Sequence, residues 1–257
     1  MNGYQRVMKA LHFEPADRVA IIPELIQHNL EVAGQTHGAY SSDPAVMTQV
    51  IADTGADICG LNEVRGLGKT PVYTAQAETM ASLLGFHGVF GRSIYVGGTE
   101  PYGNGLVSRF PIEKMEVIHI PDPIVTENAR YMESRSILRC EFDIGGGFVV
   151  YQSHFGLSQP EQEHAASLAH QLLSAEKLPA VLMGDFNMTP DNPLLAPLQK
   201  DFVSTDPMLD GQFTFPSDKP QSKIDYIFAN RKVTVKDCGI VNVIASDHLP
   251  VWADISF

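Results

Sequence analysis

Cysteine is scarce in this 257-residue chain: Cys59, Cys140 and Cys238 are the only three. They form neither a disulfide framework nor a CxxC metal motif, so a disulfide-stapled scaffold and a zinc–thiolate centre are excluded. A reducing, cytoplasmic compartment is the expectation. No run of about 18 apolar residues occurs, so no membrane-spanning helix is expected. The opening MNGYQRVMKALHF lacks a cationic stretch leading into an apolar one, and no secretory signal is expected. Basic residues are also few: 18 Lys and Arg against 30 Asp and Glu give a net charge of −12. Such a field repels polyanions and disfavours long duplex nucleic acid as a partner. The argument weakens if the acids gather where a divalent cation binds, because the ion inverts the local field.

What the chain does have is the composition of an ordinary globular protein, with 44% hydrophobic and 19% charged residues. That is ample apolar material to offset chain entropy, and the length suits one large core or two small ones. Short apolar runs alternate with helical stretches and Gly/Pro punctuation. Ser42-Asp43-Pro44 reads as a helix start, and Val46, Met47, Val50 and Ile51 supply an apolar face up to a stop near Gly55. Residues 57–64 (DICGLNEV) and 148–153 (FVVYQS) read as strands. Ser158 with Glu161 makes a capping box for a helix striped by Ala165, Leu168 and Leu172. Residues 180–183 form the next buried strand, and the last third is strand-rich, with runs at 214–215, 224–229, 233–235 and 251–255. The pattern predicts an α/β fold, two sheets packed face to face with helices outside, in a single domain over 1–257.

Polar side chains competent for metal or proton chemistry fall at the ends of these apolar runs. They are Asn62-Glu63, Ser153-His154, Gly184-Asp185-Phe186-Asn187 and Ser246-Asp247-His248, and Asp225 stands inside the apolar run KIDYIF. A carboxylate among apolar neighbours is costly unless it is paired or bound to metal. Oxygen donors without a cysteine cluster suit a hard cation such as Mg²⁺ or Mn²⁺. Two histidines beside such a site suit acid–base work or charge stabilisation on a phosphoryl group. Taken singly, each feature also has a plain structural reading: a turn at GDFN, a helix cap at Asp247-His248, a core histidine at 154.

The order and wording of these segments resemble the endonuclease/exonuclease/phosphatase superfamily, the DNase I-like α/β sandwich, over about residues 45–257. The carriers are ADICGLNEV (56–64), GNGLVSRFPI (103–112), YQSHFGL (151–157), VLMGDFN (181–187), TFPSDKPQSKIDYIFAN (214–230) and SDHLPV (246–251). GDFN followed at this separation by SDHLPV is specific; the other segments are individually weak. The resemblance implies a Mg²⁺-dependent phosphoesterase, with Mn²⁺ an alternative, that cleaves a P–O bond by in-line attack of water. It implies Glu63 as a metal ligand, with Asn62 standing where glutamine is commoner. It implies His154 as a phosphate contact and Asp185 as the acid that orients or deprotonates the water. Asn187 would stabilise the phosphate oxyanion, Asp225 would bond His248, and Asp247 would bind or position the metal. Asn104 is implied as a polar contact at the cleft, and Arg135 reads either as a further phosphate contact or as a structural partner of Glu133, the second being the simpler reading.

The family opens with a strand carrying an asparagine ligand. Here residues 1–44 are atypical and look similar to the N-terminal segment of the uroporphyrinogen decarboxylase family, through RVMKAL, PADRVAIIPE, EVAG and SSDP. The first strand is therefore expected to be replaced or missing, and Asn29 is a candidate ligand by its interval to Glu63. A phosphorylated small molecule or a phosphodiester suits the acidic chain as substrate. The alternatives are a nuclease on short or single-stranded DNA and a non-catalytic member of the fold with a damaged metal site. Oligomeric state is not legible.

Overall fold

The computed structural model describes residues 18–22, 44–124 and 132–257. In chain order the elements are β1 (Arg18–Ile22), α1 (Pro44–Thr54), β2 (Ile58–Arg65), α2 (Gln76–Leu84), β3 (His87–Val96) and β4 (Glu100–Ser108). The chain continues through β5 (Lys114–His119), β6 (Ser136–Phe142), β7 (Phe148–His154), α3 (Gln159–Ala175) and β8 (Ala180–Asp185). It ends with α4 (Ala196–Asp201), β9 (Val203–Ser204), β10 (Asp225–Ala229), β11 (Thr234–Ile240) and β12 (Val251–Ser256). Two six-stranded sheets result, ordered β11-β12-β1-β2-β4-β3 and β5-β6-β7-β8-β10-β9. Between them lies a core that includes Ile58, Leu106, Leu138, Val150, Val181, Ile227 and Val251. Helices α1 and α2 cover the outside of the first sheet through Met47, Ile51, Ala77 and Met80, and α3 covers the second through Ala165, Ala169 and Leu173. The expected two-sheet α/β sandwich is present. Among the described residues no helix is long and apolar enough to cross a membrane.

The first strand is not missing. Residues 18–22 lie parallel to β2, with Val19 opposite Ile58 and Ile22 opposite Leu61, and antiparallel to β12. The reason is local: RVAII is a β-branched apolar run, and Pro23, which has no N–H for a ladder, follows it directly. The likeness of this stretch to another family hid a plain strand signal. Asn29 lies outside the described residues.

Other expectations shift by a residue or a face. The helix from Pro44 stops at Thr54, with Gly55 in a left-handed conformation (φ 65°). On α3 the fully buried stripe is Ala165, Ala166, Ala169 and Leu173, while Leu168 and Leu172 are only partly buried. Small alanines let the helix sit close on the sheet, and the leucines fill its margin. Residues 214–215 do not form a strand; Phe215 makes a single bridge to Ser222.

Strand β2 shows how the site is aimed. Ile58 faces the inter-sheet core, Cys59 and Leu61 face the helices, and a Cβ added at Gly60 would overlap the Gln152 side chain of the facing sheet. Strict alternation would send residue 63 to the helix side with 59 and 61. The register instead slips between Leu61 and Val64, and Val64 takes the helix-facing place. Glu63 occupies the slip in a left-handed conformation (φ 52°), a bulge that re-aims the carboxylate to the sheet rim.

Candidate active site

Five strand ends meet at one rim. Strand β2 reaches it at Glu63, two residues before its end at Arg65, β7 and β8 end there at His154 and Asp185, β10 starts there at Asp225, and the segment before β12 brings Asp247 and His248. Strands β7 and β8 are parallel, with His154 opposite Asp185, and β10 runs antiparallel with Asp225 opposite Asp185. The close approach of β7 and β8 needs Gly184: a Cβ there would land on the Ser153 carbonyl, and its φ of 146° suits glycine.

Asp185 is the hub, 1% exposed. Its Oδ2 lies 3.5 Å from His154 Nε2 and 3.9 Å from His248 Nε2. Its Oδ1 accepts the Asn187 backbone N–H at 2.7 Å. Burial pushes the Asp185 carboxyl up to about 8, against the pull of His248 and with a further push from Asp225. His248 donates Nδ1–H to Asp225, with Nδ1 2.9 Å from Oδ2 and 3.2 Å from Oδ1. This leaves its Nε2 facing the cleft. The Phe215 ring packs against His248 at a centroid distance of 4.8 Å.

Asn187 is held in a left-handed conformation (φ 52°). Its amide nitrogen donates to Phe155 O at 2.9 Å and lies 3.0 Å from His154 Nε2, while its carbonyl accepts from Gln162 Nε2 at 2.9 Å. His154 Nδ1 is 3.0 Å from Arg135 Nη1 and 3.7 Å from Glu63 Oε1. Burial, with the charges of Arg135 and His248, holds His154 well below the ordinary histidine range. Arg135 also pairs with Glu133 at 2.8 Å, as the sequence implied.

Asp247 completes the group. Burial raises its carboxyl to about 6; His248 pulls it down while the Glu63 charge pushes it up. Asp247 Oδ1 is buried without a hydrogen-bond partner. Two repelling carboxylates, one with an orphaned buried oxygen, are the donor set a hard divalent cation satisfies. Among the described residues no three His, Cys, Asp or Glu side chains group as a metal cage. A two-carboxylate set fits Mg²⁺, which keeps several of its waters.

One expected contact is corrected. Asn104 is 2% exposed and donates to Ser136 O at 2.9 Å, across the sheets from β4 to β6. Beside it the Ser93 and Ser136 hydroxyls share a 2.7 Å bond. Asn104 is a strut that holds the two layers together. Asn62 has a supporting role, and its partner Gln152 escaped the sequence reading. The Asn62 carboxamide accepts the Asp185 N–H at 2.9 Å, donates to Ser153 O at 3.1 Å and meets the Gln152 amide. Gln152 fits because Gly60 opposite it has no side chain. The only sequence signal was the shorter Asn62 where glutamine is commoner; Gln152 supplies the missing reach from the facing strand.

The model of the Endonuclease/Exonuclease/phosphatase family matches residues 26–248. The chain belongs to that family. Its structure is similar to the endonuclease/exonuclease/phosphatase from Bacteroides vulgatus (20% identity, 95% of this chain and 99% of that one, TM-score 0.72). It is similar too to the mannosyl-6-phosphatase of Bacteroides thetaiotaomicron VPI-5482 (21% identity, 94% and 100% coverage, TM-score 0.71). The human Nocturnin catalytic domain, solved with a bound sulfate anion, matches at 15% identity over 95% of each chain with a TM-score of 0.69. No curated protein matches the sequence significantly. Nothing in these comparisons bears on the decarboxylase-like look of residues 1–44.

Proposed function

We propose that the protein hydrolyses a phosphoester of a small molecule, a phosphomonoester or phosphodiester, by in-line attack of water with help from a divalent cation. The observation that carries the reading is the convergence of two imidazole Nε2 atoms on one buried carboxylate oxygen, at 3.5 and 3.9 Å. Asp185, pushed up by burial, is a carboxylate with the basicity to take a proton from water near neutral pH. His154 Nε2 and the second N–H of the Asn187 amide present donors beside it for phosphoryl oxygens. His248, oriented through Nδ1 by Asp225, faces the same space with Nε2 and carries charge stabilisation or a proton for the leaving oxygen. Glu63 and Asp247 would hold Mg²⁺ or Mn²⁺, which when bound neutralises developing negative charge on the phosphoryl group.

The net charge of −12 favours a small substrate over duplex nucleic acid. One structural neighbour being a mannosyl-6-phosphatase makes sugar phosphates the first compounds to try. The test is a panel of sugar phosphates, a chromogenic phosphodiester and short single-stranded DNA, each with Mg²⁺, Mn²⁺ or EDTA. Turnover of a small phosphoester that needs a divalent cation is the expected result. Turnover confined to DNA would move the reading to a nuclease. No turnover, together with no Mg²⁺ binding by calorimetry, would make the chain a non-catalytic member of its family.

A further inference from the structure

The ring of His154 poses a proton-placement problem. Its two nitrogens each face a nitrogen donor: Arg135 Nη1 at 3.0 Å from Nδ1, and Asn187 Nδ2 at 3.0 Å from Nε2. Beyond these donors each nitrogen also has a carboxylate, Glu63 Oε1 at 3.7 Å from Nδ1 and Asp185 Oδ2 at 3.5 Å from Nε2. An imidazole must carry at least one proton, and neither the guanidinium nor the amide nitrogen can accept it, but the full positive charge of the guanidinium repels that proton more strongly than the neutral amide does. Nδ1 is therefore the acceptor, and the proton resides on Nε2. There it points toward Asp185 Oδ2, and the Asn187 amide, whose nitrogen already donates to Phe155 O, only borders it.

We propose that Arg135 is a positioning residue that fixes His154 as the Nε2–H tautomer, so that the cleft always meets a donor at this ring. Without Arg135, Glu63 would draw the ring proton to Nδ1 and leave a lone pair facing the cleft, where an anionic phosphoryl oxygen would be repelled. The guanidinium is held for this task. Its side chain is only 10% exposed, and it is paired to Glu133 Oε1 at 2.8 Å. Glu133 is in turn fixed by its own N–H, which donates to Glu161 Oε1, and Glu161 belongs to the first turn of α3. Glu161 Oε2 also accepts the Ser158 N–H at the start of that helix. A chain of polar contacts, with the Glu133–Arg135 ion pair as its middle link, thus runs from the α3 N-terminus to Nδ1 of His154.

Nitrogen NMR of isotope-labelled histidine reads the tautomer directly, with the His154 signal assigned by its loss in His154→Gln. In the unmodified protein, metal-free and Mg²⁺-loaded, Nε2 should be the protonated nitrogen and Nδ1 the bare one. Arg135→Met should shift protonation to Nδ1. Arg135→Lys, which keeps a charged donor and offers no acceptor, should keep the original pattern. The kinetic arm rests on the phosphoesterase reading: Arg135→Met should lower kcat at least about tenfold with KM within about twofold, and Arg135→Lys should recover most of it. A protonated Nδ1 in the unmodified protein would overturn the proposal without needing any variant to fold. An unchanged nitrogen pattern in Arg135→Met would overturn it too. Because the NMR arm uses no substrate, absence of turnover would defeat the functional reading and leave the tautomer result standing.

Discussion

Replacing Asp185 by asparagine should remove activity and add stability, and the size of the gain is set by burial. The carboxyl is 1% exposed and is pushed from 3.8 to about 8, chiefly by burial. A group whose folded value lies above its unfolded value costs the native state nothing below pH 3.8. The cost grows as pH rises and is full above the folded value. At pH 7 the penalty spans about 3 pH units, or about 4 kcal/mol. The amide keeps most of the local geometry, since its oxygen can still accept the Asn187 N–H now 2.7 Å from Oδ1. Its NH₂ would then face His154 Nε2–H, which offsets about 1–2 kcal/mol. A net gain of about 2–3 kcal/mol is expected, several degrees in Tm for a chain of this size. Turnover should fall about 10²–10⁴-fold, because an amide cannot accept the proton of water. The assay is thermal or urea unfolding of both proteins in EDTA between about pH 4 and pH 8, alongside turnover with Mg²⁺. The gain should vanish near pH 4 and be largest near pH 8. A variant that is less stable at pH 7, or a stability difference that does not change with pH, would refute the claim that Asp185 carries a burial penalty.

Away from the site, Glu176 is subject to burial, which raises its carboxyl, but bonds from Arg139, the Leu178 N–H and the Tyr151 hydroxyl outweigh that and hold it below its usual value. Its contribution is therefore full above pH 4.5 and lost as pH falls through the lowered value. Glu176→Gln should flatten that part of the acid unfolding curve, and an unchanged urea midpoint at both pH 7 and about pH 3.5 would count against it. Gly184→Ala should cost at least about 3 kcal/mol in urea, because its Cβ meets the Ser153 backbone and its φ is 146°. Gly98→Ala, with open space around it and a φ of 77°, should cost only about 1 kcal/mol, so similar losses for both would contradict the strand-spacing argument.

The residues of the candidate site were legible because each sits at or near the end of an apolar run, and strands that end together bring those residues together. Glu63, His154, Asp185, Asn187, Asp225, Asp247 and His248 all reach one rim for this reason. The β3–β4 hairpin and β5–β6 were less legible, since β3 and β5 are partly exposed and lack a clean alternation. Asn104 was misjudged because a polar residue in a motif-like run can serve the interior as readily as the cleft; what decides is the partner, Ser136 O, which lies 32 positions away in sequence. The bonds of Arg135 to His154 and of Gln152 to Asn62 likewise cross strands and carry no local spacing signal. Sequence periodicity reports which face a residue takes. It is silent on which distant polar atom that face will meet.

Backbone strain shows where the fold gives stability up. Among the described residues, Glu63 and Asn187 are the two non-glycine positions with positive φ, both at 52°. Each costs about 1–2 kcal/mol relative to an ordinary strand end. Glu63 lies in a strand of the first sheet and Asn187 in the turn after β8 of the second, so a common local distortion does not account for both. What they share is a place at the rim, Glu63 in the register slip of β2 and Asn187 two residues past the end of β8. At Glu63 the slip in register turns the carboxylate out of the helix-facing row taken by Cys59, Leu61 and Val64. At Asn187 the turn lets the backbone N–H reach Asp185 Oδ1 while the side-chain amide reaches Phe155 O and borders His154. A residue without a reason to face the cleft would relax to the β region, and the bond from Gln162 to the Asn187 backbone carbonyl and the one from the Asn187 amide to Phe155 O would be lost with it. The two strained residues and the buried Asp185 therefore answer one requirement, which is to hold oxygen and nitrogen atoms of opposite demand within a few ångströms before any substrate arrives.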